Sequence, residues 1–233
     1  MTRRQREFLQ REALFLSTAR TIMRSDGIAN LSMERIADLT EYAKGTVYKH
    51  FTCKEDILCA LCCESLQHLS NLLEHAGDFN GNLREKMLAM GTAYQLFTTQ
   101  YPEKFDLIIA NRTTNIRQKA PPKRVEQMDA IDQKVHDHLR SLLQQAIDEG
   151  QLKLRAGIQV DEVCFGLWAM SFGILVLDQA KVVIEELDLP PVNQVLLNQM
   201  NLLLDGYGWS PLSTEYDYHA SFGQILHFME PLF

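Results

Sequence analysis

The sequence has no run of 18 or more uncharged apolar residues, about the length that a helix needs to cross a bilayer. The longest apolar run extends from Val163 to Leu177, between Asp161-Glu162 and Asp178. The N-terminal residues MTRRQREFLQRE carry charges where a signal peptide has its apolar segment. We therefore expect a cytoplasmic protein without a membrane partner.

Cysteine is scarce, and its number is odd. The 233 residues include five cysteines, which suits free thiols in a reducing compartment better than a disulfide framework. Cys59, Cys62 and Cys63 have helical spacing that brings them together, as a thiol- or metal-sensing regulator would require, with His68 further away. Small buried side chains are the simpler interpretation. No second cluster with metal-ligand spacing occurs, so no metal site is predicted.

Catalytic motifs are missing as well. The chain shows no Ser/His/Asp arrangement, no paired carboxylates and no nucleotide-binding loop. His136 and His138 are two residues apart and so point to different faces of a helix. Gly206-Tyr207-Gly208 lacks the flanking strand of a dinucleotide site. A helical enzyme without a recognisable motif stays as an alternative, but the sequence predicts neither catalysis nor a cofactor.

The net charge of the N-terminal part differs in sign from that of the rest of the chain. The total of −7 argues against nucleic acid, but residues 1–56 contain ten Lys/Arg and eight Asp/Glu, whereas residues 57–233 contain 13 and 22. Such asymmetry favours a phosphate-facing surface at the N-terminus. We predict a nucleic-acid-binding domain at 1–56, called the head below, and a second domain at 57–233.

The head contains two short helical patterns and the start of a third within residues 32–56. Ser32 is placed to cap the first pattern, with Glu34 in its first turn. Its apolar face consists of Ile36, Ala37 and Leu39. A longer helix precedes it from about Arg3 to Ser25 and ends at Gly27. Its buried stripe consists of Phe8, Phe15, Ala19 and Ile22.

The second short pattern predicts a helix of about two turns with a polar outer side. Val47 and Phe51 are four apart and form its buried side, and Thr52 with Glu55 has the capping-box spacing that starts a third helix. Cations, hydroxyls and rings remain outside, where they suit phosphates and base edges in a major groove. The residues predicted to contact DNA are Ser32, Tyr42, Ala43, Lys44, Gly45, Thr46, Tyr48, Lys49, His50 and Lys54.

These residues resemble a known family. Ile36-Ala37, then the string from Lys44 to Phe51 (KGTVYKHF), then the string from Lys54 to Leu58 (KEDIL) resemble the helix-turn-helix signature of TetR-type transcriptional regulators, and the likeness covers roughly residues 10 to 60. It implies an all-α fold, with an N-terminal three-helix head and a helical ligand-binding and dimerisation domain. It also implies a homodimer on a palindromic DNA operator, acting as a repressor that a small-molecule effector releases.

The turn of the signature departs from the family pattern. The family usually has Gly-Val-Ser there, whereas this chain has Glu41-Tyr42-Ala43. Another residue must therefore adopt the turn's φ angle, and Ala43 cannot cap the next helix as serine would. We expect the fold to follow the family and the operator sequence to differ. Arg3, Arg4 and Arg6 are either a solvated helix end or phosphate contacts, as similar proteins often show.

From Asn82 to Phe233 the pattern predicts helices, interrupted by a polar loop at 112–122 and ending with a short helix at Phe222–Met229. The segment 160–187 is apolar on all sides and contains a shallow groove at Gly166, Ala169 and Gly173. Together with 192–204 it would over-fill one subunit, so we predict that both pack against their copies in a homodimer.

Soft and aromatic side chains concentrate between the head and this dimer seam. They either line a pocket for a neutral or lipid-like effector or fill an ordinary core, and the TetR resemblance favours the pocket. Arg112 or His138 is available for a ligand carboxylate. The predicted lining consists of Met87, Met90, Tyr94, Phe97, Phe105, Ile109, Phe165, Trp168 and Phe172.

Overall fold

The computed structural model describes residues 1–113, 115–180 and 189–233. Within these ranges the regular structure is helical, and an isolated antiparallel bridge joins Leu152 to Trp209. The α-helices are α1 (Arg3–Asp26), α2 (Met33–Thr40), α3 (Lys44–Val47), α4 (Lys54–Gly77), α5 (Leu83–Gln100), α6 (Pro102–Thr113), α7 (Ile116–Lys119), α8 (Pro122–Asp148), α9 (Val160–Ala180), α10 (Val192–Gly206) and α11 (Tyr218–Met229). The predicted all-α class is confirmed.

The chain divides into two compact units. The first consists of Met1–Gln67 and Tyr101–Asp132, and the second of His68–Gln100 and Gln133–Phe233. Helices α4 and α8 contribute residues to both units. The functional division at residue 56 stays a prediction.

Helix α1 forms as its sequence predicts. Thr2 caps it in a capping box with Gln5, whose side chain accepts a hydrogen bond from the Thr2 N–H at 2.8 Å. Its buried residues are Phe15, Leu16, Ala19 and Ile22. Phe8 was expected in this stripe, but it is 39% exposed because it lies two turns before Phe15, near the helix start. Gly27 ends the helix with a φ of 81°, as predicted.

Helix α2 packs on α1 through Met33, Ile36 and Ala37. Ser32 caps it, with its hydroxyl accepting from the Arg35 N–H at 3.1 Å, as predicted. The expectation that Leu39 is buried is wrong, since its exposed fraction is 58%. Leu39 lies about 200° around the helix from Ala37 and therefore faces solvent.

The capping box predicted at the start of α4 is shifted by one residue. Helix α4 begins at Lys54, and the carboxylate that reaches back belongs to Asp56, not Glu55. Asp56 Oδ2 accepts from the Thr52 N–H at 3.0 Å and from the Thr52 hydroxyl at 3.3 Å.

The loop predicted at 112–122 is also partly wrong, because α6 continues to Thr113, α7 lies inside the segment and α8 begins at Pro122. Thr114 lies outside the described residues.

Helix α9 is not buried all round, which corrects the expectation for this segment. Phe165 is 62% exposed and Leu177 53% exposed, and Ala169 between them is exposed too. In length and composition α9 meets the requirement for crossing a bilayer, with a mean hydropathy of 1.7 over its most apolar window. That window is only 28% buried, so this chain alone leaves an apolar face uncovered. Residues 181–187 of the predicted helix lie outside the described residues.

A buried charged side chain holds the segment after α10 in the second unit. The guanidinium of Arg84 donates to the carbonyls of Trp209 at 2.6 Å and Pro211 at 2.9 Å, and it pairs with Asp205 at 2.6 Å. It also bonds both the backbone and the side-chain oxygen of Asn201. The side chain of Arg84 is fully buried, and these partners replace the hydration of its two terminal nitrogens, whereas its Nε has no hydrogen-bond partner.

Candidate nucleic-acid interface

The surface of α3 is defined by two anchors beneath it. Val47 and Phe51 are both fully buried, and Phe51 donates its N–H to the Val47 carbonyl at 3.0 Å. The α-helical part is four residues long, shorter than the two turns predicted, and turn hydrogen bonds continue it to Phe51. With these anchors inside, the side facing outward presents a row of polar and basic residues. Lys44, Gly45, Tyr48 and Lys49 are exposed and Thr46 is half-buried.

In the turn between α2 and α3, a glutamate adopts the left-handed conformation for which the family pattern has a glycine. Glu41 ends α2 at φ 56° and ψ 25°, in the left-handed region, and its N–H reaches back to α2 carbonyls. Ala43 precedes α3 without a side-chain cap, as predicted. Tyr42 is 37% exposed and meets Phe15 edge-on at 5.5 Å between ring centroids. The turn is therefore fixed to α1 through an aromatic contact.

Lys44 does not stand free on α3. Its ammonium pairs with the Glu34 carboxylate of α2 and lies 5.8 Å from the centroid of the Tyr48 ring. The hydrogen bond from Lys44 lowers the pKa of Glu34, and the same contact raises the pKa of Lys44. Both groups are about half exposed, so solvent reaches the ammonium and the carboxylate.

His50 packs inward more than the sequence suggests. Its ring stacks on Phe8 at 3.9 Å and meets Phe15 edge-on at 5.2 Å. Its Nδ1 is buried and has no hydrogen-bond partner. Burial, with the nearby Arg11 charge, holds the pKa of His50 below its usual value. The expectation of a largely outward ring is wrong, and a DNA contact by His50 stays a prediction.

The remaining predicted DNA-contacting residues lie at helix ends. The Ser32 hydroxyl is engaged in capping α2. Lys54 begins α4, and its ammonium donates to the Ala29 carbonyl at 3.4 Å. Arg3, Arg4 and Arg6 occupy the exposed first turn of α1, where Arg3 pairs with Glu7 at 2.8 Å. A phosphate contact by any of these groups stays a prediction.

An ion pair that the sequence analysis missed ties the head to α8 within the first unit. Arg124 Nε donates to Asp56 Oδ1 at 2.9 Å, while Asp56 Oδ2 accepts from the Thr52 N–H. The guanidinium also lies 6.0 Å from the Phe51 ring and 3.9 Å from the Glu12 carboxylate of α1. Asp56 and Arg124 are 68 residues apart, so no local spacing signals their contact.

The three cysteines on α4 lack the chemistry of a sensor. Cys59 and Cys62 are buried, and no disulfide joins any of the five cysteines. Burial raises the pKa of Cys59 to about 11 and also raises that of Cys62 and Cys63, so the thiolate is disfavoured. Among the described residues no group of three metal-ligating side chains comes together. The thiol- or metal-sensing alternative is not favoured.

The predicted effector residues on α5 and α6 differ in exposure from those on α9. Met87, Met90, Tyr94 and Phe97 on α5 are buried in the second unit, whereas Phe105 is buried and Ile109 half-buried in the first. On α9 the rings form a chain, with Phe165 to Trp168 at 5.8 Å and Trp168 to Phe172 at 5.5 Å. Arg112 is paired with Asp132 at 2.7 Å, and His138 contacts the Ser70 hydroxyl at 3.1 Å.

Comparison with known proteins identifies the head. Residues 15–61 match the family model of the bacterial regulatory proteins of the tetR family. No curated protein matches the chain. Solved structures match over 82–86% of this chain at 13–20% identity, which shows a shared fold.

Three of these structures illustrate the match. The TetR family transcriptional regulator PfmR from Thermus thermophilus aligns at a TM-score of 0.60 and 17% identity, over 82% of this chain and 97% of that one. The fatty acid degradation regulator FadR from Bacillus halodurans aligns at 0.61 and 13% identity, over 84% and 95%. The SmeT–triclosan complex aligns at 0.59 and 20% identity, over 86% and 92%.

Proposed function

We propose that this chain is a transcriptional regulator of the TetR family, which represses transcription from a palindromic operator until an apolar small molecule releases it. The proposal places DNA binding in residues 1–56 and effector binding and dimerisation in residues 57–233. It also places the protein in the cytoplasm and assigns it no catalytic activity.

The observation that supports DNA binding is the construction of α3. Two fully buried side chains, Val47 and Phe51, fix the orientation of the helix, so the opposite side must face outward. That side carries Lys44, Tyr48 and Lys49, which combine cations for phosphates with polar tips for base edges. In helix-turn-helix proteins this second helix enters the major groove while the first crosses the backbone.

Quantitative binding to genomic fragments selected by the purified protein tests this assignment. We expect Lys49→Ala combined with Tyr48→Phe to weaken operator binding by about 1–3 kcal/mol for each lost base contact. Lys153→Ala is the matched control, because Lys153 is an exposed lysine of the acidic second domain. Operator affinity unchanged in the double variant would refute the assignment.

The uncovered stripe of α9 supports a homodimer. Phe165, Ala169, Gly173 and Leu177 are four apart, so they lie along one face, with two small residues between two exposed apolar ones. A Cβ built at Gly173 meets no atom within 4 Å, which leaves space there for a second helix. A homodimer carries two heads, and a palindrome with half-sites about one helical turn apart requires two.

Gly173→Leu distinguishes the dimer from a monomer. We expect it to block close approach of the partner helix, giving monomers in sedimentation and weak operator binding. Gly166→Leu is not equivalent, because a Cβ at Gly166 comes within 2.8 Å of the Tyr207 hydroxyl of the same chain. It should lower the stability of the subunit itself. A wild-type protein that is monomeric at micromolar concentration would refute the dimer.

Effector binding is supported by the soft and aromatic side chains of α5 and α9. Met87 and Met90 can adapt their shape, and Tyr94 and Trp168 each offer a polar tip beside an apolar body. Two proteins of the same fold are described as a triclosan complex and a fatty acid degradation regulator, and both names fit apolar ligands. We therefore propose a neutral or lipid-like effector that contacts the predicted residues of α5 and α9 in the second unit.

The effector must bind a state with poor operator affinity more tightly than the DNA-binding state, since equal affinity for both would shift nothing. Thermal shift with fatty acids and hydrophobic phenols tests this, followed by operator release in the presence of each hit. Trp168→Ala should weaken the binding of a hit, whereas Leu177→Ala, on the exposed stripe and outside the predicted lining, should change dimerisation instead. Hits that stabilise the protein without releasing DNA would refute effector control.

A further inference from the structure

An acidic residue lies where the head would meet phosphates. Glu34 is in the first turn of α2, and its carboxylate pairs with Lys44 on α3. The exposed fractions of the two side chains are 55% for Glu34 and 54% for Lys44. An ion pair this exposed contributes little to folding stability, because water and salt screen it. We therefore expect the ion pair to affect DNA binding and not folding stability.

The pair changes what Lys44 offers to DNA. Affinity for any duplex comes mainly from lysines and arginines that replace counterions on phosphates. In the docking geometry proposed above, α2 crosses the backbone, so the Glu34 carboxylate approaches the same phosphates as Lys44. A lysine whose charge is compensated within the protein releases fewer counterions, and the carboxylate repels the phosphate directly. Lys44 is then an inefficient non-specific contact.

We infer that Glu34 determines specificity by withholding Lys44 from non-specific phosphate contact. The inference rests on the proposed function. On random DNA the pair stays closed and Lys44 contributes little to affinity. On the operator, the acceptor edge of a base, such as guanine O6 and N7, replaces the carboxylate as the partner of the ammonium. The Tyr48 ring, 5.8 Å from the ammonium, lies beside Lys44 in the closed pair.

Glu34→Gln tests this on both operator and random duplexes across a salt series. For random DNA we expect tighter binding, by roughly tenfold at about 0.1 M salt, and a salt slope steeper by about one unit per head, because one further phosphate is neutralised. Operator affinity should rise less, so the ratio of operator to random affinity falls. The far-UV spectrum and melting temperature should stay unchanged, because Glu34 supports no buried group.

Two controls separate this mechanism from a simple change in net charge. Asp38→Asn removes the same charge from the same helix, and the Asp38 carboxylate forms no ion pair within the described part of the chain. It should raise random-DNA affinity much less than Glu34→Gln does. In a Lys44→Gln background, Glu34→Gln should lose its effect on the salt slope.

Different outcomes would refute the role of Glu34 and the proposed DNA-binding function. Equal effects of Glu34→Gln and Asp38→Asn, or a full effect without Lys44, would overturn the role of Glu34 and leave DNA binding intact. A loss of operator affinity in Glu34→Gln without a gain on random DNA would also overturn it, because Glu34 would then contact a base. Wild-type protein that shows no salt-dependent binding to any duplex would overturn the proposed function itself.

Discussion

The buried guanidinium of Arg84 allows a quantitative test of what holds the second unit together. Its side chain is fully buried and donates to three backbone carbonyls, of Asn201, Trp209 and Pro211. It also pairs with Asp205 at 2.6 Å and lies 4.5 Å from the Tyr218 ring centroid. Replacing Arg84 with methionine keeps much of the stem volume and removes every donor.

Losing one partner of a buried ion pair generally costs about 3–5 kcal/mol, because the other partner keeps its desolvation penalty. Asp205 is 22% exposed and also accepts hydrogen bonds from Ser213, so water and Ser213 relieve part of that penalty. The Trp209 carbonyl adds to the cost because it loses a donor while buried, whereas the Pro211 carbonyl keeps the Tyr218 hydroxyl as a donor. We expect Arg84→Met to lower the free energy of unfolding by roughly 3–5 kcal/mol, or the melting temperature by about 6–20 °C.

Arg140→Met is the matched control. Arg140 pairs with Asp161 at 2.9 Å on the surface, with 54% and 59% of the two side chains exposed. Such pairs contribute about 0–1 kcal/mol, so this variant should unfold almost as the wild type does. The measurement is urea denaturation of both variants at the same protein concentration, since a dimer's stability depends on it. A loss below about 1 kcal/mol in Arg84→Met would refute the argument from burial.

Three further predictions concern the first unit. Lys54→Ala should weaken binding to all duplexes alike and reduce the salt slope by about one unit, whereas a sequence-dependent loss would contradict a phosphate contact. A thiol reagent should modify the half-buried Cys53 well before the buried Cys59, whose pKa is about 11, and faster reaction at Cys59 would reverse the case against a sensor. The folded-state pKa of His50 is below its usual 6.5, so the unfolded chain binds the proton first and stability should fall as the pH drops below that value. His50→Phe should reduce the difference in unfolding free energy between about pH 7.5 and about pH 5.5, measured by denaturation. An unchanged pH dependence in this variant would contradict the role of His50.

Spacing along the sequence predicted the helix-turn-helix because its anchors are close in the chain. Val47 and Phe51 are one helical turn apart, and Ser32 lies three residues before the N–H group that it caps. The resemblance to TetR-type regulators rested on the same string and is confirmed by the family model over residues 15–61. The same reasoning also predicted that a residue other than glycine must take the turn's left-handed φ, and Glu41 does.

The sequence did not decide how much of each helix is covered. Leu39 and Phe165 are apolar and were predicted to be buried, yet 58% and 62% of them are exposed. Periodicity reports which residues share a face, but a neighbouring element must pack on that face before it is buried. The identity of that neighbour follows from the path of the whole chain.

Local hydrogen bonds and helix starts were therefore determined by the sequence itself, since their partners lie within four residues and form whatever the rest of the chain does. Contacts between distant residues were decided only by the tertiary structure. Arg124 meets Asp56 across 68 residues, and Arg84 meets Trp209 across 125. Neither pair has a periodic signal, because its geometry depends on the packing of whole helices that carry the two residues together.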